Sequence, residues 1–402
     1  MIMSPYKFSW NSCVARIRFC ALLLVLAFAG CGGGVDSGGT GAQASSASGP
    51  ITGFGSVIVS GVHFDDSRAS ITDADGNTRT RDSLKLGMIT FIRGSALVVD
   101  STATRSNATS IVLSSALVGP VDNIDANART ITVLSQTVEV KATTVFDDSL
   151  NGGLATLAAN DVIEVYALID ASNNHYIATR IERKAGVSAY ELRGVVSNLD
   201  TRINAFNIGN LRISYAGISP GNTPAALGNG RLLRVKMQVS TGNPVRIATQ
   251  LQEGAANLAD QDEARIEGLI TNFVSVRQFS VEGVNIDASQ AVLSGNGRGL
   301  GVGTRVEIEG VVRSGVLVAT KVKSKTDGDI ESEGFELDGT ITAIDVVNRI
   351  LVLRGVSVDY SGPVDFRDGT IADLAVGRDV KIKGTLLADG TGLQAVRIKF
   401  DH

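Results

Sequence analysis

Asp338-Gly339-Thr340-Ile341-Thr342-Ala343-Ile344-Asp345-Val346-Val347-Asn348-Arg349-Ile350-Leu351-Val352-Leu353 decides the fold. Its first eight residues alternate with the period of a half-buried strand. Asp345 to Asn348 supplies a turn, and Arg349 to Leu353 returns as a second strand. Gly355 permits a bend or bulge, after which Val356 to Tyr360 continues. A less regular stretch, Asp365 to Asp373, leads to a turn that starts at Leu374. Val380 to Gly384 and Leu393 to Ile398 complete a set of five or so short strands.

The same set recurs along the chain. Each copy ends on Ala-Thr-x-Ile or a variant: Ala108-Thr109-Ser110-Ile111, Ala178-Thr179-Arg180-Ile181, Ala248-Thr249-Gln250-Leu251, Ala319-Thr320-Lys321-Val322 and Ala395-Val396-Arg397-Ile398. A glycine opens each copy, at Gly53, Gly119, Gly194, Gly268 and Gly339. A Leu-x-x-Gly turn falls mid-copy, at Leu84 to Gly87, Leu227 to Gly230, Leu300 to Gly303 and Leu374 to Gly377. In the second copy Asn160 takes the glycine's place, and Asn is the next most tolerant residue of positive φ. The opening glycines are 66, 75, 74 and 71 residues apart. That spacing exceeds a solenoid repeat and approaches the smallest domain that buries its own core, so five small domains in tandem are expected.

An open sheet of this size leaves exposed edges, and closure into a barrel removes them. The expectation is an all-β chain of five small antiparallel barrels, Greek-key and OB-like, with a two-sheet sandwich per unit as the alternative. Abundant Val and Ile and scarce aromatics suit narrow barrel interiors. The units are placed at 51–116, 117–186, 187–256, 257–328 and 329–402. The first two join through Ile111 to Val118 without a spacer and are expected to be rigid. Gly254 to Glu263 and Asp327 to Glu336 are polar and acidic and are expected to bend.

Residues Met1 to Gly30 have the form of a secretory signal: Lys7, Arg16 and Arg18 precede the apolar run Ala21 to Ala29. That run is too short to span a bilayer, which takes roughly 20 apolar residues. Phe28-Ala29-Gly30-Cys31 resembles the bacterial lipoprotein cleavage site, with Phe28 where the family pattern prefers Leu. The resemblance implies a lipid on Cys31 and a membrane anchor made by several acyl chains. Gly32 in place of Asp implies the outer membrane of the cell envelope. Residues 31–50, rich in Gly, Ser and Ala, are expected to form the lipidated cysteine and a flexible tether. Cys13 and Cys20 lie within the signal, so Cys31 alone remains and neither a disulfide nor a thiolate metal site is expected.

The Gly53-Phe54-Gly55-Ser56 opening, Gly61-Val62-His63-Phe64-Asp65, Leu84 to Met88 and the Ala-Thr-x-Ile endings resemble a bacterial family of tandem small-β-barrel lipoproteins. That family is catalogued as a domain of unknown function. The resemblance is strong in units one, two, four and five and weak in unit three. It implies fold and location and brings no activity.

No catalytic constellation stands out. His63, His175 and His402 are dispersed, His63 reading as a sheet-surface residue and His175 as a hairpin tip. No Gly-x-Ser-x-Gly elbow precedes a helix. Gly297-Arg298-Gly299-Leu300-Gly301 lacks the Lys-Ser/Thr of a phosphate loop. Asp73-Ala74-Asp75-Gly76-Asn77 has its glycine too early for a calcium loop. Asp327, Asp329, Glu331, Glu333 and Glu336 form an acidic run that reads first as a solvated linker and second as a weak calcium site. Without residues 1–30 the chain keeps 34 basic and 41 acidic residues, a net charge of −7, and loses its one Trp, Trp10. Phe206, Phe279 and Phe366 read as core. Such a chain is a poor nucleic-acid binder. A non-enzymatic, lipid-anchored envelope protein is expected, without cofactor or metal, whose barrels bind another envelope component, protein or polymer. A structural spacer and a small-molecule or cation binder are the alternatives.

Overall fold

A computed structural model describes residues 44–225, 227–240, 245–260, 262–295 and 299–401. The expected signal, Cys31 and the first part of the expected tether lie outside the described residues.

All five units are closed five-stranded barrels with one strand order, 1-2-3-5-4-1. In barrel five, Phe335–Asp345 pairs with Ile350–Leu353, which pairs with Val356–Asp359. That third strand runs parallel to Leu393–Phe400, which pairs with Asp379–Leu386, and this closes on the first. The same five pairings recur in barrel one, barrel two, barrel three and barrel four. This is the OB-like Greek key.

The repeated phrases have structural causes. Ala-Thr-x-Ile is a β-bulge in the last strand. Pairing with the fourth strand skips Thr109, Thr179, Thr249, Thr320 and Val396, one extra residue per barrel. The alanine before it is buried every time. In three barrels the threonine hydroxyl donates across the bulge, Thr109 to the Arg93 carbonyl at 3.1 Å, Thr179 to Tyr166 at 3.0 Å and Thr320 to Glu309 at 3.1 Å. A bulge bends and twists its strand, as a barrel this small demands.

The Leu-x-x-Gly turn closes the barrel. Gly87, Gly230, Gly303 and Gly377 have φ of 80°, 82°, 83° and 89°, and Asn160 has 70°. Each donates its N–H to a first-strand carbonyl: Ile51, Val196, Ile270, Ile341 and Val121 respectively, at 2.8–2.9 Å. The opening glycine lies where the first strand crosses the first hairpin. A Cβ on Gly119 would come within 2.5 Å of Leu134, and one on Gly194 within 2.3 Å of Ile208.

The barrels do not hang as beads. Residues 42–402 form one compact unit, and their buried apolar side chains form three clusters. One joins barrels one and five with Val145, Tyr166 and Leu168 of barrel two and Leu269 of barrel four. One joins barrels two and three, and one fills barrel four. The first strand, Ser45–Phe54, is shared: Ser45 to Ser48 pair in parallel with Glu263 to Ile266, and Gly53 and Phe54 with Glu336 and Leu337. The expected tether over 31–50 is therefore corrected at its end, because barrel one begins at Ser45. Ser45, Ser46 and Ala47 are buried. Their small side chains, read from sequence as tether composition, are what lets a strand lie between two barrels.

Neither acidic linker is built to bend. Ser46 donates to Asp262 at 2.5 Å, and Leu258 is buried in barrel four's cluster. Asp327–Glu333 is a helix closed by a Thr326–Asp329 capping box. Glu282 ties three barrels together. Its carboxylate accepts from Arg193 of barrel three at 2.9 Å and from the Ile169 amide of barrel two at 3.1 Å. Arg193 also donates to the Gly254 carbonyl at 2.6 Å.

Two stability outcomes follow. Gly377→Asn should unfold in urea much like the parent, whereas Gly377→Val should lose about 1–2 kcal/mol, the cost of a β-branched residue at positive φ. No atom crowds that position, so the difference reports backbone strain alone. Glu282→Ala leaves Arg193 buried and unpaired, and should cost about 3–5 kcal/mol in the same measurement.

Candidate functional site

The first hairpin of barrel one turns at Gly55 and Ser56 and is pressed against the first strand of barrel five. A Cβ on Gly55 would come within 2.3 Å of Asp338 Cβ, and Arg354 donates to the Gly55 carbonyl at 3.2 Å. Two hollows flank this seam. One is a groove of about 370 Å³ walled by Ser56, His63, Arg105, Lys381, Lys383 and Arg397, among others. The other is a cavity of about 390 Å³ that reaches barrel four and the Asp327–Glu333 helix. His63, Ile58, Glu336 and Lys383 line both.

The cavity's far wall is a buried ion network. Glu267 accepts from Arg305 Nε at 3.0 Å and Nη2 at 2.7 Å, and lies 3.6 Å from Lys325. Lys325 also meets Glu307 at 3.2 Å and Glu333 at 2.9 Å. Burial alone would raise the Glu267 carboxyl, but Arg305 and Lys325 outweigh it and hold the group below its ordinary range. Burial would lower the Lys325 ammonium, yet Glu267, Glu307 and Glu333 hold it above the ordinary lysine value. Every member of this network is paired, so it fastens barrel four to the Asp327–Glu333 helix instead of offering a free acid or base.

His63 stands in barrel one's third strand, and its Nδ1 lies 3.3 Å from Ser56 Oγ. Burial lowers its pKa from the ordinary 6.5; Glu336 opposes this, while Arg105 and Lys381 add to it. The ring is thus neutral at pH 7. Ser56 and His63 form a hydrogen-bonded pair. Among the described residues no carboxylate hydrogen-bonds that ring, so the arrangement is not a Ser-His-acid triad.

The other residues singled out from sequence are dispersed. His175 begins a strand, after a turn at Asn173 and Asn174, and meets Glu139 at 2.8 Å. Asp73 accepts from the amides of Asp75 and Asn77, while Asp75 reaches across to Arg234 at 2.8 Å and Lys236 at 2.6 Å in barrel three. That loop latches two barrels. Asp327 meets Lys141 at 3.6 Å, and Asp329 caps its own helix. Phe206 and Phe279 are buried, and Phe366 is half-buried. Trp10 and His402 lie outside the described residues, as do Gly297 and Arg298. Among the described residues no three His, Cys, Asp or Glu side chains are grouped to hold a metal, and no helix is long and apolar enough to cross a membrane.

The groove's cations were missed from sequence because net charge was weighed for the whole chain. The signal is local: Lys381 and Lys383 alternate on one strand, Arg397 and Lys399 on the next.

If burial of His63 is costly, unfolding free energy should fall as pH drops below 6.5, where the unfolded ring takes a proton that the folded ring resists. His63→Gln should lack that component, read by urea unfolding at several pH values between about 7 and 5.

A search of curated proteins finds no match to this chain. The solved structure titled "drosophila Unr CSD456" matches at 13% identity over 55% of this chain and 99% of its own, with a TM-score of 0.13. The model of the domain of unknown function DUF5666 matches residues 118–182, 267–323 and 338–399. Barrels one and three lie outside those stretches. Barrels two, four and five are thus each similar to this domain of unknown function.

Proposed function

We propose that this is a non-catalytic, lipid-anchored protein of the cell envelope, held in the outer membrane through Cys31, whose fused barrels bind another envelope component. The lipoprotein-like Phe28-Ala29-Gly30-Cys31 supports the anchor. The observation that carries the binding reading is the groove between barrels one and five. It is preformed, lined by charged side chains, and its Lys383 makes no ion pair among the described residues. A groove with fixed walls and open polar groups suits recognition. The ligand is an envelope polymer or protein and not a nucleic acid, given the net charge of −7 that the chain has without residues 1–30 and its mostly buried aromatic rings.

A structural spacer is the second reading, favoured by the cross-barrel bonds of Glu282 and Asp75. A cation site in the 327–336 segment is weaker, since calcium there would have to displace Lys141, Lys323 and Lys325 from their carboxylates.

The anchor is tested by expressing Cys31→Ala in a two-membraned bacterium. The variant should leave the membrane fraction and lose palmitate labelling; a variant still held in membranes overturns the anchor.

A further inference from the structure

Cross-strand neighbours on the outer face of each barrel show where charge has been arranged against stability. Directly opposed like charges destabilise a sheet, and opposed unlike charges stabilise it. The fourth and fifth strands allow a comparison within one chain, because the fold repeats. In barrel four, Glu307 faces Lys323 and Glu309 faces Lys321, while the like pair Arg305 and Lys325 shares the Glu267 carboxylate. In barrel three, Arg234 faces Gln252 and Lys236 faces Gln250. In barrel two, Glu164 faces Glu182, but Lys184 bridges the two carboxylates at 2.6 and 3.3 Å. In barrel five, Lys381 faces Lys399 and Lys383 faces Arg397. Four cations are thus opposed, and among the described residues no one carboxylate pairs with two of them.

The carboxylates that meet these four cations are Asp338 and Asp401 on Lys381, Asp365 on Arg397 and Asp368 on Lys399. Glu336 faces Lys383 across the strand pair, yet the two make no ion pair within 4 Å. These pairs are exposed, and exposed pairs of this kind are weak enough for a ligand to compete. The four cations form one wall of the groove, and Arg105, Ser56 and His63 of barrel one stand on the opposite wall. Barrel two shows how the chain neutralises a like-charge pair when no ligand is involved: it supplies an opposite charge of its own. Barrel five leaves that place to something else.

We propose that the groove between barrels one and five is a binding site for clustered phosphate groups, with Lys381, Lys383, Arg397 and Lys399 as the cationic floor and Arg105 facing them. Each phosphate monoester carries about −1.5 to −2 charges, and the groove's five Lys and Arg side chains outnumber its two carboxylates, Glu336 and Asp338, so clustered phosphates match it in sign. Lys ammonium groups act as point charges on such groups, and the Arg397 guanidinium adds a fork of donors. The proposal rests on the reading of the barrels as a binding module and names the ligand chemistry.

The test uses the chain without residues 1–30 and with Cys31→Ala, titrated with inorganic pyrophosphate in a calorimeter at low ionic strength. Saturable binding that weakens steeply with added salt is expected. Lys383→Gln should bind roughly tenfold more weakly with a melting temperature equal to or above the parent's, because it removes repulsion and no ion pair. Lys321→Gln, which removes the outer-face cation of barrel four at the position equivalent to Arg397, should bind like the parent. Absence of saturable binding by folded protein, or equal affinity in all three proteins, overturns the site. Co-sedimentation with phosphatidylcholine vesicles doped with phosphatidic acid assigns a lipid headgroup as the source; pyrophosphate binding without co-sedimentation assigns a free phosphate compound. If an envelope component is captured equally by the parent and Lys383→Gln, and pyrophosphate binds neither, the phosphate site falls and the binding module stands.

Discussion

One extra residue in the last strand of each barrel sets the geometry on which the rest depends. Five strands cannot close around an apolar interior unless one coils sharply, and the bulge after the buried alanine supplies that coil. With the last strand bent, the fourth strand can pair with it and with the first, and the left-handed turn at Gly87 and its counterparts donates back to the first strand. In three barrels the threonine hydroxyl donates to a fourth-strand carbonyl beside the bulge. Barrel five, with Val396, closes without it, so the hydroxyl supports the bulge and does not create it.

A second level of organisation lies between barrels, and it is polar where the first is apolar. Glu282, Arg193, Asp75 and Arg234 bridge barrels through side chains that are mostly buried. Such groups are costly to isolate and therefore specific about their partners. They orient the barrels, while the shared apolar cluster of barrels one and five supplies burial. The groove exists because this orientation is fixed: its two walls belong to strands some three hundred residues apart in sequence, as the Arg354 to Gly55 bond shows.

Much of the barrel was legible in the sequence, and little of the assembly. Alternating Val and Ile marked the strands, and Gly87, Asn160 and their counterparts marked the turns because positive φ restricts residue choice so strongly. Ala-Thr-x-Ile was visible as a repeat, but its cause was not, since a bulge is a mismatch between two strands and one strand shows only half of it. Ser45 to Ala47 were read as tether because small polar residues are common both in linkers and in strands packed tightly between neighbours. Asp75 and Glu282 gave no sign of their roles, for their partners lie far along the chain. The four opposed cations were half legible: alternation gave the face, and register gave the opposition of like charges.

The shared first strand has a consequence for how the molecule comes into being. Ser45 to Ser48 leave the ribosome long before Glu263 to Ile266, with which they finally pair. Through that interval one side of the strand has no partner, and an unpaired edge is a template for pairing with another chain. Synthesis that stops before residue 263 would leave that edge open for good. The first strand is thus covered on both sides only once the chain has grown past residue 266.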